Sequence, residues 1–282
     1  MTNPLPRILI EPIIRAALLE DLGHAGDITA DAVIPASATT RVAFIARDPG
    51  IIAGLDCAAL AFALLDPSLI LNIHIPDGSA VHPGDTIATI EGNARAIVSA
   101  ERVALNFLGP LSGIATATNG IAKSIAHTKA RITCTRKTTP NLRALQKYAV
   151  RCGGGANHRF GLDDAILIKD NHIAIAGGIA TAIARARAAA GHLVKIECEV
   201  DTLDQLAQAL HAGADAILLD NFTLPALREA VALINHTAIA EASGRITPQT
   251  APAIAETGVD LLSAGWLTHS TTVLDIGLDF LP

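Results

Sequence analysis

The sequence predicts an α/β chain: an incomplete parallel β/α barrel preceded by an amino-terminal α+β domain of open-sandwich type. Two observations predict it. Six apolar, β-like runs in the second half each end on a charged or small polar residue and hand over to a helix-like stretch. Strands alternating with helical patterns imply parallel βαβ units with right-handed crossovers, and six units fall short of a full barrel, leaving a doubly wound open sheet as the alternative. Before residue 105 or so, short apolar runs are instead punctuated by glycine turns, which suits a small antiparallel sheet.

Taken in order, residues 11–22 (EPIIRAALLEDL) place Ile14, Leu18 and Leu22 four apart, an amphipathic helix stopped by Gly23. The following GDITADAVIP reads as turn-rich. Apolar runs around Arg41–Arg47, Ile51–Leu55 and Leu69–Ile75 read as strands, and IPDGSAVHPGDTIATIEG adds short pieces between glycine turns. From Ser99 the pattern turns helical, with Val103 and Phe107 on one face. Gly109-Pro110 is expected to break that helix, and a second one runs to about Thr128. The six β-like runs follow: RITCTRK (131–137), AILIKD (165–170), LVKIECEVD (193–201), AILLDN (216–221), AIAEASG (238–244) and DLLSAG (260–265). The tail VLDIGLDFL (273–281) has β character and is expected to return to the first domain. The expected division is therefore 1–105 joined by about 271–282, and 106–270 for the barrel.

Composition narrows the function. Half the residues are apolar and 17% are charged, a soluble globular balance. A formal charge of −6 with six Phe, one Tyr and one Trp argues against nucleic acid, which needs basic surface and stacking platforms. The longest clean apolar stretch, Ala58–Leu65, is far short of a membrane span, and no secretory pattern opens the chain. Cys57, Cys134, Cys152 and Cys198 show no metal-binding spacing and read as buried, reduced thiols of a cytoplasmic protein.

Parallel β/α barrels collect their chemistry at the carboxyl ends of successive strands. Those ends here carry cations first, then acids, then small residues. Thr135-Arg136-Lys137-Thr138-Thr139-Pro140 sets a planar bidentate cation beside a compact one, ahead of a helix-starting Pro. Such a pair is also what a solvated loop carries, but its place after a buried strand favours an anion. Arg151 to Arg159 holds three glycines followed by Asn157, His158 and Arg159; it matches neither the Rossmann nor the P-loop spacing, and its donors suit a carboxylate. Lys169, after an apolar strand, reads as an anion ligand, a Schiff-base nucleophile or a snorkelling lysine, with Asp170 as its neighbouring acid. Glu199 and Asp220 end the next two strands and can share Mg²⁺, through water, or accept from ribose hydroxyls. Glu197 shares the face of Glu199, one step nearer the barrel bottom. Glu241-Ala242-Ser243-Gly244-Arg245 and Ser263-Ala264-Gly265-Trp266 place small residues on the final two strands and match the phosphate site many barrels build from their terminal loops, although a tight turn would use the same glycines. Together these clusters suit transfer of a phosphorylated sugar to an acidic small molecule.

The chain closely resembles the quinolinate phosphoribosyltransferase family. The matching strings span nearly its whole length: ALLEDLGHAGDIT (17–29), SAERVALNFLGPLSGIAT (99–116), the long and specific stretch from TRKTTP through CGGGANHRFGLDDAILIKDNHI (135–173), then ECEVD, LLDN, EASGRI and AGWLTHS. The resemblance implies an incomplete barrel that binds 5-phosphoribosyl-1-pyrophosphate (PRPP) and quinolinate. It implies that Arg102, Arg136, His158, Arg159 and Lys169 hold the two quinolinate carboxylates, and that Lys137 lies near the pyrophosphate. Glu199 and Asp220 match the acids serving ribose and Mg²⁺, so Lys137, Lys169, Glu199 and Asp220 form the catalytic set, with Thr135 among the substrate contacts. Ser243 to Arg245 and Ala264 to Trp266 match the segments that hold the 5-phosphate. A homodimer is implied, alone or within a higher assembly, in which Arg102 reaches the neighbouring site. Two departures stand out: Arg245 where members commonly have Asn, and Trp266 where they commonly have Ala.

The expected reaction has two stages. Quinolinate nitrogen attacks the ribose C1 as pyrophosphate leaves, and the resulting pyridinium stabilises negative charge at C2 as carbon dioxide departs. No covalent nucleophile is needed, and fixed charges carry the rate gain. The alternatives are aldolase chemistry through a Schiff base on Lys169, and a noncatalytic binding relative such as a protein tied to molybdenum uptake. Nicotinate as substrate would leave several cations unpaired.

Overall fold

The structure is a computed structural model that describes residues 3–281. Its first helix, α1 (Arg7–Leu22), buries Ile10, Ile14 and Leu18 along one stripe. It begins one turn earlier than expected because Pro12 lies in the second turn, where the carbonyl facing the ring belongs to the exposed Ile8. The turn-rich GDITADAVIP is in fact partly helical. Asp27 accepts from the Thr29 and Ala30 amides and caps α2 (Ile28–Val33), which offsets the orphan donors of a six-residue helix.

The chain continues through β1 (Thr39–Ala46) and β2 (Gly50–Ile51) into α3 (Leu55–Leu65). The run at Ile51–Leu55 is therefore strand for one residue only. Gly54, at φ 108°, turns the chain, and the Asp77 carboxylate accepts from the Gly54 and Leu55 amides at 2.9 and 3.2 Å. That cap comes from a residue 22 or 23 positions away, so no local pattern announces it. Next come β3 (Ile70–Ile73), β4 (Ala80–Val81) and β5 (Thr86–Asn93).

The two helices expected around Gly109-Pro110 are one, α4 (Ala94–Ser124). Pro110 faces the carbonyl of Asn106, four residues back, and both residues are exposed, so water can take the orphaned acceptor. Gly109 and Gly113 instead let another backbone approach: Gly109 O accepts from the Leu274 amide, and a Cβ on Gly113 would sit 2.1 Å from Thr272 O.

The remaining elements alternate. They are β6 (Arg131–Thr133), α5 (Arg143–Cys152), β7 (Ile166–Ile168), α6 (Asp170–Ala176), α7 (Ile179–Ala189), β8 (Ile196–Val200) and α8 (Leu203–His211). After them run β9 (Ala216–Asp220), α9 (Leu224–Ile234), β10 (Ile239–Ser243), α10 (Ala251–Ala255) and β11 (Leu261–Ser263). A 3₁₀ turn at Gly265–Thr268 and β12 (Ile276–Phe280) end the chain. Helix α5 starts at Arg143, not at Pro140, because Asn141 adopts φ 65° and interrupts the turn.

Two compact units result. One comprises the chain up to Asn119, Thr138–Gly154 and the segment from Leu267; the other comprises Gly120–Lys137 and Gly155–Trp266. In the first, an antiparallel sheet of order β12-β1-β5-β3 receives the tail beside β1, pairing Phe44 with Leu278. Phe44 and Phe62 meet edge to face at 5.9 Å in its core. In the second, six parallel strands run β6-β11-β10-β9-β8-β7. Strands β6 and β7 are opposite edges of this sheet, so the barrel is incomplete; β6 touches the glycine-rich segment through a single bridge, Thr133 to Ala156.

The close approach at Gly113 makes a test. Gly113→Ala favours the helix intrinsically, yet its methyl collides with Thr272 O, so urea denaturation should show a loss of about 1–3 kcal/mol. A gain in stability would mean that the tail does not press on α4.

Candidate active site

Alternate residues of a strand face the same way, and parallel register stacks such positions into layers. Ser243 of β10 stands opposite Asp220 of β9 and Ser263 of β11. Two residues earlier, Glu241 is level with Leu218, which is level in turn with Glu199 of β8. Further down, Glu197 is level with Leu167 of β7. Asp220, Ser243, Ser263, Glu199, Leu218 and Glu241 line one cavity of about 450 Å³, together with Leu167. The segments beyond the strand ends supply the rest of its wall: Thr135, Arg136 and Lys137 after β6, His158 and Arg159 after the glycines, and Lys169 after β7.

The expected cations and acids are thus gathered in one place. Arg159 donates from Nη1 to Ala165 O at 2.9 Å, while its buried Nε has no hydrogen-bond partner among the described residues. Burial, and then the neighbouring Arg136, hold its pKa below the usual arginine value. Two guanidiniums that repel each other, one with an orphaned donor, form a seat for an anion. Lys169 does not pair with Asp170; its Nζ is hydrogen-bonded to Glu199, and Asp170 accepts from the Asn171 amide as α6 begins. Asp220 accepts from the Asn221 side-chain amide at 2.7 Å.

His158 meets Glu197 through Nε2 at 2.9 Å, and its Nδ1 accepts from the Arg159 amide at 2.8 Å. Beneath them Glu241 is 2% exposed, and its Oε1 has no hydrogen-bond partner among the described residues. Burial first, and then the nearby Glu197 charge, push Glu241 up to about 7. Cys198, between the acids of β8, is pushed up to about 11 by burial and then by Glu199 and Glu197, which leaves it an inert thiol.

Small residues make room. A Cβ on Gly265 would lie 2.7 Å from Lys137 Cδ and 3.3 Å from Thr135 Oγ1. Gly244, at φ 92°, would meet Asn221 Oδ1 at 2.2 Å. Gly244, Arg245, Ala264, Gly265 and Trp266 follow β10 and β11 directly but are not part of the cavity wall itself. Trp266 donates its indole N–H to Ile246 O at 2.8 Å, which ties the ring to the loop after β10. Arg102 is an exposed residue of α4 in the first unit. Glu241 and Ser263 open the two clusters read from sequence as a phosphate site but were given no role of their own there; both lie in the cavity wall, Glu241 two positions before Ser243 and Ser263 at the end of the last barrel strand.

Glu241 yields a stability test. Its folded pKa is raised, so between the free value of 4.5 and about 7 the folded protein keeps a proton that the unfolded chain releases. Stability is therefore lost as pH rises through that window. Glu241→Gln has no such proton, so its melting temperature relative to the parent should climb from about pH 5 to about pH 7.5. Parallel melting profiles would mean that Glu241 is not held protonated.

Known proteins agree with this architecture. The quinolinate phosphoribosyl transferase N-terminal domain family matches residues 27–112, and the C-terminal domain family matches 114–279. The carboxylating nicotinate-nucleotide pyrophosphorylase of Mycobacterium leprae is 44% identical, over 94% of this chain and 95% of that protein. A decarboxylating quinolinate phosphoribosyltransferase of Nicotiana tabacum is 41% identical, over 97% of this chain and 82% of that protein. The solved nicotinate-nucleotide pyrophosphorylase of Francisella tularensis superposes with TM-score 0.95 at 40% identity, covering 100% of this chain and 99% of that one. The chain belongs to the quinolinate phosphoribosyltransferase family.

Proposed function

We propose that the chain transfers the phosphoribosyl group of PRPP to quinolinate with decarboxylation, yielding nicotinate mononucleotide, pyrophosphate and carbon dioxide, a step of de novo NAD synthesis. The observation that carries this reading is the repelling Arg136–Arg159 pair with Lys169 in the same cavity. Quinolinate presents two adjacent carboxylates, which match that cation density; a monocarboxylate would leave part of it unpaired. Thr135 adds a hydroxyl to the same wall. Arg102 completes the set from a neighbouring subunit of a homodimer, alone or in a higher assembly.

Lys137 faces the pyrophosphate, and Gly265 leaves room for its side chain where any Cβ would crowd it. Glu199 and Asp220 accept from the ribose hydroxyls and are the Mg²⁺ ligands, directly or through water. Their hard carboxylate oxygens suit an ion that keeps most of its waters and takes further ligands from substrate phosphate. When bound, that ion supplies charge neutralisation on the pyrophosphate. Ser243, Gly244, Arg245, Ala264, Gly265 and Trp266 hold the 5-phosphate by their main chain and the Ser243 hydroxyl.

The pyridine nitrogen bonds to C1 as the C1–O bond to pyrophosphate breaks. The positive charge of the new pyridinium then stabilises the electron pair that stays on C2 when carbon dioxide departs, and that pair takes up a proton. The Lys169 amine is engaged by Glu199, which argues against its use as a Schiff-base nucleophile. A cytoplasmic setting belongs to the same reading, supported by four buried cysteines that form no disulfide among the described residues.

The deciding experiment mixes purified protein with quinolinate, PRPP and Mg²⁺ and measures nicotinate mononucleotide and carbon dioxide together. Equal yields are expected, and binding without either product would overturn the reading. In the same assay Arg136→Ala should lower kcat/KM for quinolinate by about 10²–10³, as removal of one fixed charge at a reacting site typically does. Gly265→Ala, which displaces Lys137, should reduce kcat with little change in quinolinate KM; an equal effect on both would remove Lys137 from the leaving-group side.

A further inference from the structure

The segment that follows β10 turns through two left-handed residues in succession, Gly244 at φ 92° and Arg245 at φ 51°. Glycine takes that conformation freely. In arginine the Cβ crowds the next carbonyl, so the conformation persists only where the surroundings hold it. Two side chains do so here. The Thr250 hydroxyl donates to Arg245 O at 3.1 Å, and the indole N–H of Trp266 donates to Ile246 O at 2.8 Å. Trp266 follows β11, so its ring joins the two terminal segments of the barrel.

In a trans peptide the carbonyl and the following N–H point in opposite directions, so a tie on one aims the other. Thr250 on Arg245 O therefore turns the Ile246 N–H away from its hydroxyl. The next peptide is held at both ends: Trp266 takes Ile246 O, and Thr250 Oγ1 takes the Thr247 N–H at 2.9 Å. The Ile246 side chain is 3% exposed, which anchors the turn from below. The Arg245 and Ile246 amides donate to no acceptor among the described residues. Carbonyls are thus taken by the protein while N–H groups are left for a ligand.

We propose that the Trp266 side chain is a positioning group for the phosphorylated end of PRPP: its indole bridges the segments after β10 and β11 and holds the left-handed Arg245 turn, whose N–H groups face the 5-phosphate. This rests on the phosphoribosyl reading given above and adds what keeps the loop in its binding shape. The indole acts through the loop, since its N–H is engaged by Ile246 O. Main-chain amides hold an anion only while they converge, and a turn free to flip one peptide would lose that convergence. Phenylalanine at 266 would keep an aromatic ring but release the carbonyl. Asparagine at 245 would need less holding, because its short polar side chain tolerates left-handed backbone.

Kinetics and fluorescence test this. Trp266→Phe should raise the KM for PRPP about three- to tenfold, the weight of one hydrogen bond, with the KM for quinolinate within about twofold. In an Arg245→Asn background the same change should raise the KM for PRPP by no more than about twofold, because the two positions are coupled through one turn. An equal rise in both backgrounds, or an equal rise for both substrates, overturns the proposal, since a merely structural tryptophan would disturb all of these alike. Trp266 is the chain's only tryptophan, so its emission reports this loop in the unaltered protein. PRPP with Mg²⁺, added without quinolinate, should shift that emission. Binding of PRPP seen by calorimetry with the emission unmoved overturns the proposal too, whether or not the variants fold. No binding of PRPP to the parent protein would instead sink the phosphoribosyl reading itself.

Discussion

Like charges confined to a small cavity set the terms for the rest of this site. Arg136 and Arg159 lie close enough for one to lower the proton affinity of the other, and Lys137 and Lys169 share the same wall. In water such a group would spread apart; here short strands and their loops hold it together. The opposing charge is layered below and beside it. Glu199 takes Lys169, Asp220 is held by Asn221, and Glu197 is hydrogen-bonded to His158. Burial and Arg136 outweigh the nearby Asp164 and Glu197 in setting the proton affinity of Arg159, and that imbalance is what an anionic substrate would resolve.

The layers exist because the strands are short and in parallel register. A three-residue strand has few positions to share: β11 buries its middle one, Leu262, and spends its last, Ser263, on the cavity, whereas β7 gives the cavity its middle one, Leu167, and buries its last, Ile168. Glu241 and Ser243 share a face only because their separation is two, and Glu197 and Glu199 do so for the same reason. A one-residue slip of β10 would turn both its polar residues outward and bring Ala240 and Ala242 into the cavity. The apolar helices packed on this sheet thereby protect the chemistry as well as the fold.

Much of this was legible in the sequence. The six barrel strands follow from apolar runs that end at Arg136, Lys169, Glu199, Asp220, Ser243 and Gly265, since a buried parallel strand must be apolar and its polar residues collect at one end. What was not legible depended on distant partners. Asp77 caps α3 from beyond β3, and exposed Asn106 lets α4 pass through Pro110, so neither the start of α3 nor the continuity of α4 is written locally. The partner of Lys169 was misjudged because sequence proximity favoured Asp170, while the register of β7 with β8 brings Glu199 within reach. Glu241 was read only as one member of the phosphate-side cluster because its own character arises from burial, which a run of alanines around it does not reveal.

The loop after the glycines is tied to the sheet by contacts that converge on Arg159. Its amide donates to His158 Nδ1 and its guanidinium donates to Ala165 O, while His158 Nε2 meets Glu197, which lies on a strand flanked by β7 and β9. A side chain held only by its loop would swing away from a like charge. Here both the amide and the guanidinium are held, so Arg159 stays beside Arg136 despite the repulsion between them. The strand order of the sheet thereby sets the charge density of the cavity as well as its shape.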